Sequence, residues 1–157
     1  MDDLQTLYQQ VILDHSRERN GFGDLPQNPS ATSYQVNPTC GDEVTVAVDV
    51  ADGELERMVW NGDGCSISQA SLSIMTDLID GKSVEEIGSL YRDFETMMHS
   101  RNRGVDEQLL DHLEDGAALE GTSQFPNRIK CALLGWYALK DALAKTGVNI
   151  VEEGQDG

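Results

Sequence analysis

The chain has 157 residues and a formal net charge of −17, from 28 acidic against 11 basic side chains. That length suits one ordinary domain with a real core, and that charge makes nucleic acid and anionic membrane surfaces poor partners. No stretch approaches a membrane span, and the opening "MDDLQTLYQQVILDHS" lacks the basic start and unbroken apolar run of a signal peptide, so a soluble, cytoplasmic protein is expected. The acidity fits a solvated surface, adaptation to high salt, or docking on a basic partner, and composition does not choose among them.

Leu4, Leu7, Tyr8, Val11 and Ile12 recur at helical spacing, which predicts a first helix with one buried face, ending near His15. Residues 16–32 are rich in Gly, Asn, Pro and Arg and read as loop. A short strand is expected over 33–36. From Asp42 the period changes to two: Val44, Val46, Val48 and Val50 alternate with Glu43, Thr45, Ala47 and Asp49, a strand with one covered face. Asp52-Gly53 is a hairpin turn signal, and a partner strand over 56–60 completes the pair.

"NGDGCSIS" reads as a glycine-rich turn opening a helix, whose inner face carries Ile67, Ala70, Ser71, Ile74, Met75, Leu78 and Ile79 and which stops at Gly81. "SVEE" at 83–86 is a capping box for the next helix. An acidic, less regular stretch over 102–124 holds a short helix around 106–114. The last helix begins near Pro126, because proline suits a first helical turn, and ends at Gly147. The expected fold class is α+β, a small antiparallel three-stranded sheet packed with helices. Residues 1–147 read as a single domain and 148–157 as an acidic tail that frays.

Three cysteines, Cys40, Cys65 and Cys131, are an odd count. In a cytosolic chain, clustered thiols point to metal or catalysis more than to disulfides. Cys40 lies in a turn two residues before Asp42, Cys65 sits between a glycine-rich turn and a helix start, and Cys131 lies in the first turns of the last helix. Helix N-termini favour negative charge, thiolates included. Arg128 and Lys130 flank Cys131 and add positive potential. Three thiolates and the Asp42 carboxylate make a four-ligand set that Zn²⁺ accepts, with a net negative site that nearby cations offset. The same residues also fit a second reading, three unrelated cysteines beside a surface aspartate. His15, His99 and His112 fall outside these motifs and are expected on the surface or on helix faces. No His–Asp partnership is visible that would make a serine catalytic.

"NPTCGD" around Cys40, "GDGCSISQAS" around Cys65 and "FPNRIKCALLGW" around Cys131 resemble the U-type (IscU/NifU N-terminal-like) iron–sulfur cluster assembly family, from the first helix to about Ala144. The scaffold branch of that family carries a histidine immediately before the last cysteine, where this chain has Lys130. The SufU branch carries an insertion between the second and third cysteines, and residues 91–124 lengthen that interval here. The resemblance therefore points to the SufU-type, zinc-dependent sulfur-transfer proteins, with an IscU-like fold.

The resemblance implies that Cys40, Asp42, Cys65 and Cys131 bind one zinc ion and that Cys40 accepts sulfur, with Arg128 assisting at the docked site. It implies a SufS-type, PLP-dependent cysteine desulfurase as donor and SufBCD-type assembly machinery as recipient. It also implies that a histidine of the desulfurase replaces Cys40 on the metal. On this reading the protein is an enzyme in the sense of a zinc-dependent sulfurtransferase. Two other functions stay open: a scaffold that builds a transient Fe–S cluster on the same ligands, and a structural zinc module for docking. Lys130 in place of histidine argues against the first, and an aspartate ligand against the second.

Overall fold

The computed structural model describes residues 3–39 and 41–148. Cys40 and residues 149–157 of the expected tail lie outside them. The elements, in chain order, are α1 (Asp3–Glu18), β1 (Ala31–Asn37), β2 (Asp42–Ala51), β3 (Glu54–Asp63), α2 (Ser66–Ile79), α3 (Val84–His99), α4 (Glu107–Leu113), a 3₁₀ segment (Glu114–Gln124) and α5 (Pro126–Lys145). The three strands form one antiparallel sheet in the order β1-β2-β3. The α+β class is as expected.

Local chemistry accounts for most boundaries. Asp52 and Gly53 take φ of 53° and 75°, the left-handed pair that a tight two-residue hairpin needs. Ser83 caps α3 through a complete capping box, its hydroxyl accepting from the Glu86 backbone while the Glu86 carboxylate accepts from the Ser83 backbone N–H. Pro126 opens α5. Gly81, at φ 70°, follows the end of α2.

The period-two pattern sets what faces inward. Val44, Val46 and Val48 are fully buried, and Asp42 shares their parity, so it continues the same buried face. On β1 the inner positions include Ser33 and Asn37. The helix α5 lies against β1 and β2, and α2 packs against α5 and α1. Ser33 donates to Asp141 of α5 at 2.7 Å, and Asn37 Nδ2 lies 4.0 Å from the Sγ of Cys131 ten residues earlier in α5. Four strand residues span about 13 Å and ten helix residues about 15 Å, so β1 and α5 run antiparallel with matched contacts at both ends. Gly135 lets α5 approach α2, because a Cβ there would run into the Leu72 side chain. Trp136 stacks on Phe94 at 4.8 Å and closes the core toward α3.

Three local expectations need correction. The α1 stripe is only partly covered: Tyr8, Val11 and Ile12 are half-buried, but Leu4 is 51% and Leu7 57% exposed, and His15 is the buried residue of the helix. The 56–60 strand extends to 54–63, absorbing the Asn61-Gly62-Asp63 run that reads as turn. A Cβ on Gly62 would meet the backbone of Glu43 and Val44, so this glycine serves a close strand approach. The first helix continues beyond His15, to Glu18.

Candidate metal centre

Three elements converge at one end of the sheet. Asp42 opens β2, Cys65 is the residue before α2, and Cys131 lies in the second turn of α5. Their ligand atoms all lie within 4.8 Å of one another. Asp42 is completely buried, Cys131 is 3% exposed, and Cys65 is exposed. The set is thus closed from below by the core and open at Cys65.

Asp42 is held by the residue it faces. The Cys65 backbone N–H donates to Asp42 Oδ1 at 2.9 Å, and the Cys65 thiol lies 3.8 Å from Oδ2. A Cβ on Gly64 would stand 2.5 Å from Asp42 Oδ1 and 2.5 Å from Ser68 Oγ, so only glycine fits between the carboxylate and the first turn of α2. Ser68 donates to the Cys65 carbonyl at 3.1 Å. Ser71 donates to the Ala132 carbonyl at 2.7 Å, which pins α2 to α5 one residue past Cys131.

Asn37 and Asp42 pair across β1 and β2. The Thr39 N–H donates to Asn37 Oδ1 at 3.2 Å and the Gly41 N–H to the Asn37 carbonyl at 2.9 Å. Gly41 has φ 75°, a conformation that favours glycine. Cys40, the fourth expected ligand, is the residue between these two anchors in sequence and lies outside the described residues.

The donor set fits zinc. A carboxylate with no exposed surface needs a balancing charge, and two thiols and a carboxylate converging from three elements are donor types that zinc takes, with room for a fourth. The described residues therefore contain a potential Asp–Cys–Cys metal site.

The two expected cationic helpers lie elsewhere on α5. Arg128 is exposed, with its guanidinium carbon 4.9 Å from the Phe125 ring centroid. It borders a groove of about 540 Å³ between α1 and the start of α5, lined also by Tyr8, Ile12, Leu13, Ile67 and Phe125. Ile67 is two residues from Cys65, so the groove begins beside the cluster. Lys130 is exposed and lines a different cleft, of about 400 Å³, with His99, Arg101, Ile129, Leu133 and Tyr137.

A buried histidine chain leaves no local mark in the sequence. His15 is 5% exposed; its Nδ1 lies 2.7 Å from Ser73 Oγ and its Nε2 2.9 Å from Asp115 Oδ2. Ser73 is fully buried and also accepts from the Asn20 N–H at 3.0 Å, so this Ser–His–Asp arrangement ties α1, α2 and the 3₁₀ segment together and offers no nucleophile to solvent.

The sequence model of the family described as "NifU-like N terminal domain" matches residues 7–147. The chain belongs to the NifU-like N-terminal domain family. Within it, the chain is 41% identical over 143 residues to the "Zinc-dependent sulfurtransferase SufU" of Bacillus subtilis, covering 91% of this chain and 93% of that protein. It is also 35% identical over 147 residues to the "Iron-sulfur cluster assembly scaffold protein IscU" of Streptococcus pyogenes, covering 93% and 88%. Among solved structures, the SUF-system scaffold candidate FiSufU from Fervidobacterium islandicum superposes with a TM-score of 0.73 at 30% identity, covering 85% of this chain and 94% of that one. As a NifU-like protein, the chain is a member of the iron–sulfur cluster assembly proteins. Among the described residues, no helix is long and apolar enough to cross a membrane.

Proposed function

We propose that this NifU-like protein is a zinc-dependent sulfurtransferase of cytoplasmic iron–sulfur cluster assembly, with Cys40 as the sulfur acceptor. The observation that carries the reading is the convergence of Asp42, Cys65 and Cys131 to within 4.8 Å. Cys40, two residues before Asp42 in the sequence, supplies the fourth ligand to a single ion. When bound, zinc would hold the ligating thiols as thiolates and fix their arrangement.

By sequence Cys40 falls between Pro38 and Gly41, a stretch that reads as turn, whereas Asp42 and Cys131 are built into a strand and a helix. That difference suits it to leave the set. Its thiolate attacks the outer sulfur of a persulfide on the donor. The new bond joins that sulfur to Cys40, the donor's S–S bond breaks, and the donor cysteine departs as a thiolate. The donor is a SufS-type, PLP-dependent cysteine desulfurase, and the recipient is SufBCD-type machinery. The exposed Leu4, Leu7 and Leu13 of α1 and the groove beside Ile67 and Arg128 provide a landing surface next to the cluster, with Arg128 as its cation. Lys130 contributes electrostatic support from the neighbouring cleft.

The test is alanine release by the desulfurase with cysteine, with wild-type protein or Cys40→Ala added and bound zinc measured in both. The reading expects strong stimulation by the wild type and none by Cys40→Ala. Equal stimulation by both sinks the acceptor role. Cluster donation by an iron-loaded, zinc-free protein would instead support the scaffold reading that the Streptococcus relative's name suggests.

A further inference from the structure

Arg19 follows α1 and carries φ 49°, a left-handed conformation uncommon for a residue with a side chain. Its guanidinium carbon lies 3.7 Å from the Phe22 ring centroid and 5.4 Å from that of Trp60. From that seat Nε donates to Gln69 Oε1 at 2.9 Å and Nη2 donates to the Gly62 carbonyl at 3.1 Å. Gly62 stands three residues before Cys65 and Gln69 four after it. One planar group therefore grips both ends of the segment that carries Cys65.

The neighbouring contacts make this grip rigid. Asn20 donates its N–H to Ser73, Trp60 Nε1 donates to the Asn20 carbonyl at 2.8 Å, and the Trp60 N–H donates to the Gly21 carbonyl at 2.9 Å. The Gln69 N–H donates to the Cys65 carbonyl at 3.1 Å, so Gln69 is itself bonded to the ligand residue. A guanidinium has no acceptor, so the oxygen of the Gln69 amide must face it. That leaves Gln69 Nε2 buried without a hydrogen-bond partner. A stranded buried donor is unfavourable, and its presence shows that the Arg19 contact dictates the orientation of the amide. Cys65, by contrast, is exposed, and its own side chain makes no capping bond at the start of α2.

We propose that Arg19 is a positioning residue of the metal centre. By spanning Gly62 and Gln69 it fixes Cys65 relative to Asp42 and Cys131, and so sets how slowly the metal leaves. The inference rests on the zinc reading above. It asks for a fork of donors at fixed geometry, which lysine, with a single ammonium on a flexible stem, does not supply.

The test compares wild type, Arg19→Lys, Arg19→Met, Gln69→Met and the Arg19→Met/Gln69→Met double variant. Each is loaded with zinc, and transfer of the metal to a chromophoric chelator is timed. The absorption spectrum of each cobalt(II)-loaded form and the thermal unfolding of each metal-free form are recorded alongside. Arg19→Met and Gln69→Met should each release zinc about 10-fold faster, the scale of losing an outer-shell partner. The double variant should be no faster than either single one, the cobalt bands should shift in all, and Arg19→Lys should not restore the wild-type rate. Gln69→Met also removes the stranded donor, so its metal-free form should unfold no earlier than wild type while its zinc leaves faster. A merely structural Arg19 would not separate those two readouts. Wild-type release and spectrum in Arg19→Met, or in Gln69→Met where Arg19→Met does not fold, would overturn the proposal. A wild type that takes up no zinc would overturn the metal reading together with it, whereas a zinc-retaining wild type with unaltered variants overturns the role of Arg19 alone.

Discussion

Asp42 and Cys65 face each other through two contacts at once, a backbone N–H to carboxylate bond of 2.9 Å and a thiol to carboxylate approach of 3.8 Å. The first fixes the carboxylate, and the second places two donors side by side. The parity of β2 buries this carboxylate with Val44, Val46 and Val48, and an ion in the cluster would relieve the cost of that burial.

Asp42→Asn separates metal affinity from fold stability. The amide keeps an acceptor for the Cys65 N–H but loses the charge. Zinc affinity should fall by at least about 10-fold, while the metal-free protein unfolds at the same temperature or higher. Competition with a chelator and a thermal melt of the metal-free form measure the two; unchanged affinity would remove Asp42 from the ligand set.

Gly64→Ala pushes a methyl group between Asp42 Oδ1 and Ser68 Oγ. Overpacking of this kind costs about 1–3 kcal/mol. Here it falls on the metal centre, so bound zinc per chain should drop more than global stability does. Metal analysis after gel filtration checks this, and full zinc occupancy would show that the first turn of α2 can yield.

The sheet and most helices are legible from local pattern, since alternation, a capping box, Asp52-Gly53 and Pro126 all act within a few residues. The three residues that converge are legible for a related reason: Asp42 and Cys65 sit at element boundaries beside a glycine, and Cys131 lies in the first turns of a helix opened by Pro126. What stays hidden depends on distant partners. Helical spacing in α1 reports an apolar stripe, but not whether the chain supplies a cover for it, and Leu4 and Leu7 remain exposed. His15 looks like a basic residue in a last turn, yet its partners stand 58 and 100 residues away in Ser73 and Asp115. Gly62 reads as a turn residue because its need to lack a side chain comes from β2. Arg19 lies in a loop-like stretch, and its bonds to Gly62 and Gln69 span 43 and 50 residues.

His15→Ala should destabilise the fold and leave the metal centre alone. It strands the buried Ser73 hydroxyl and frees α1 from the 3₁₀ segment, a loss of about 1–3 kcal/mol. Denaturant unfolding reads the loss, and zinc content per folded chain should stay at the wild-type level. A large fall in zinc content would tie His15 to the site.

Acid sensitivity should register the β1–α5 contact. The Ser33 hydroxyl, bonded to Asp141 Oδ2, holds that carboxyl below its ordinary value of 3.8, and Lys145 lowers it further. A carboxyl lowered in the folded state contributes stability above its unfolded value, and that stability is lost as pH falls through the lowered folded one. Asp141→Asn should therefore flatten the stability loss below about pH 4 and leave zinc content unchanged. An identical acid limb in the variant would mean that the contact does not contribute in solution.

The position of the transferred sulfur identifies the acceptor. The zinc-loaded protein is incubated with its cysteine desulfurase and cysteine, alkylated, digested and analysed by mass spectrometry. Acceptance by Cys40 leaves one added sulfur atom on the peptide holding Cys40 and none on those of Cys65 and Cys131. Added sulfur on Cys65 or Cys131 with Cys40 unmodified would contradict it.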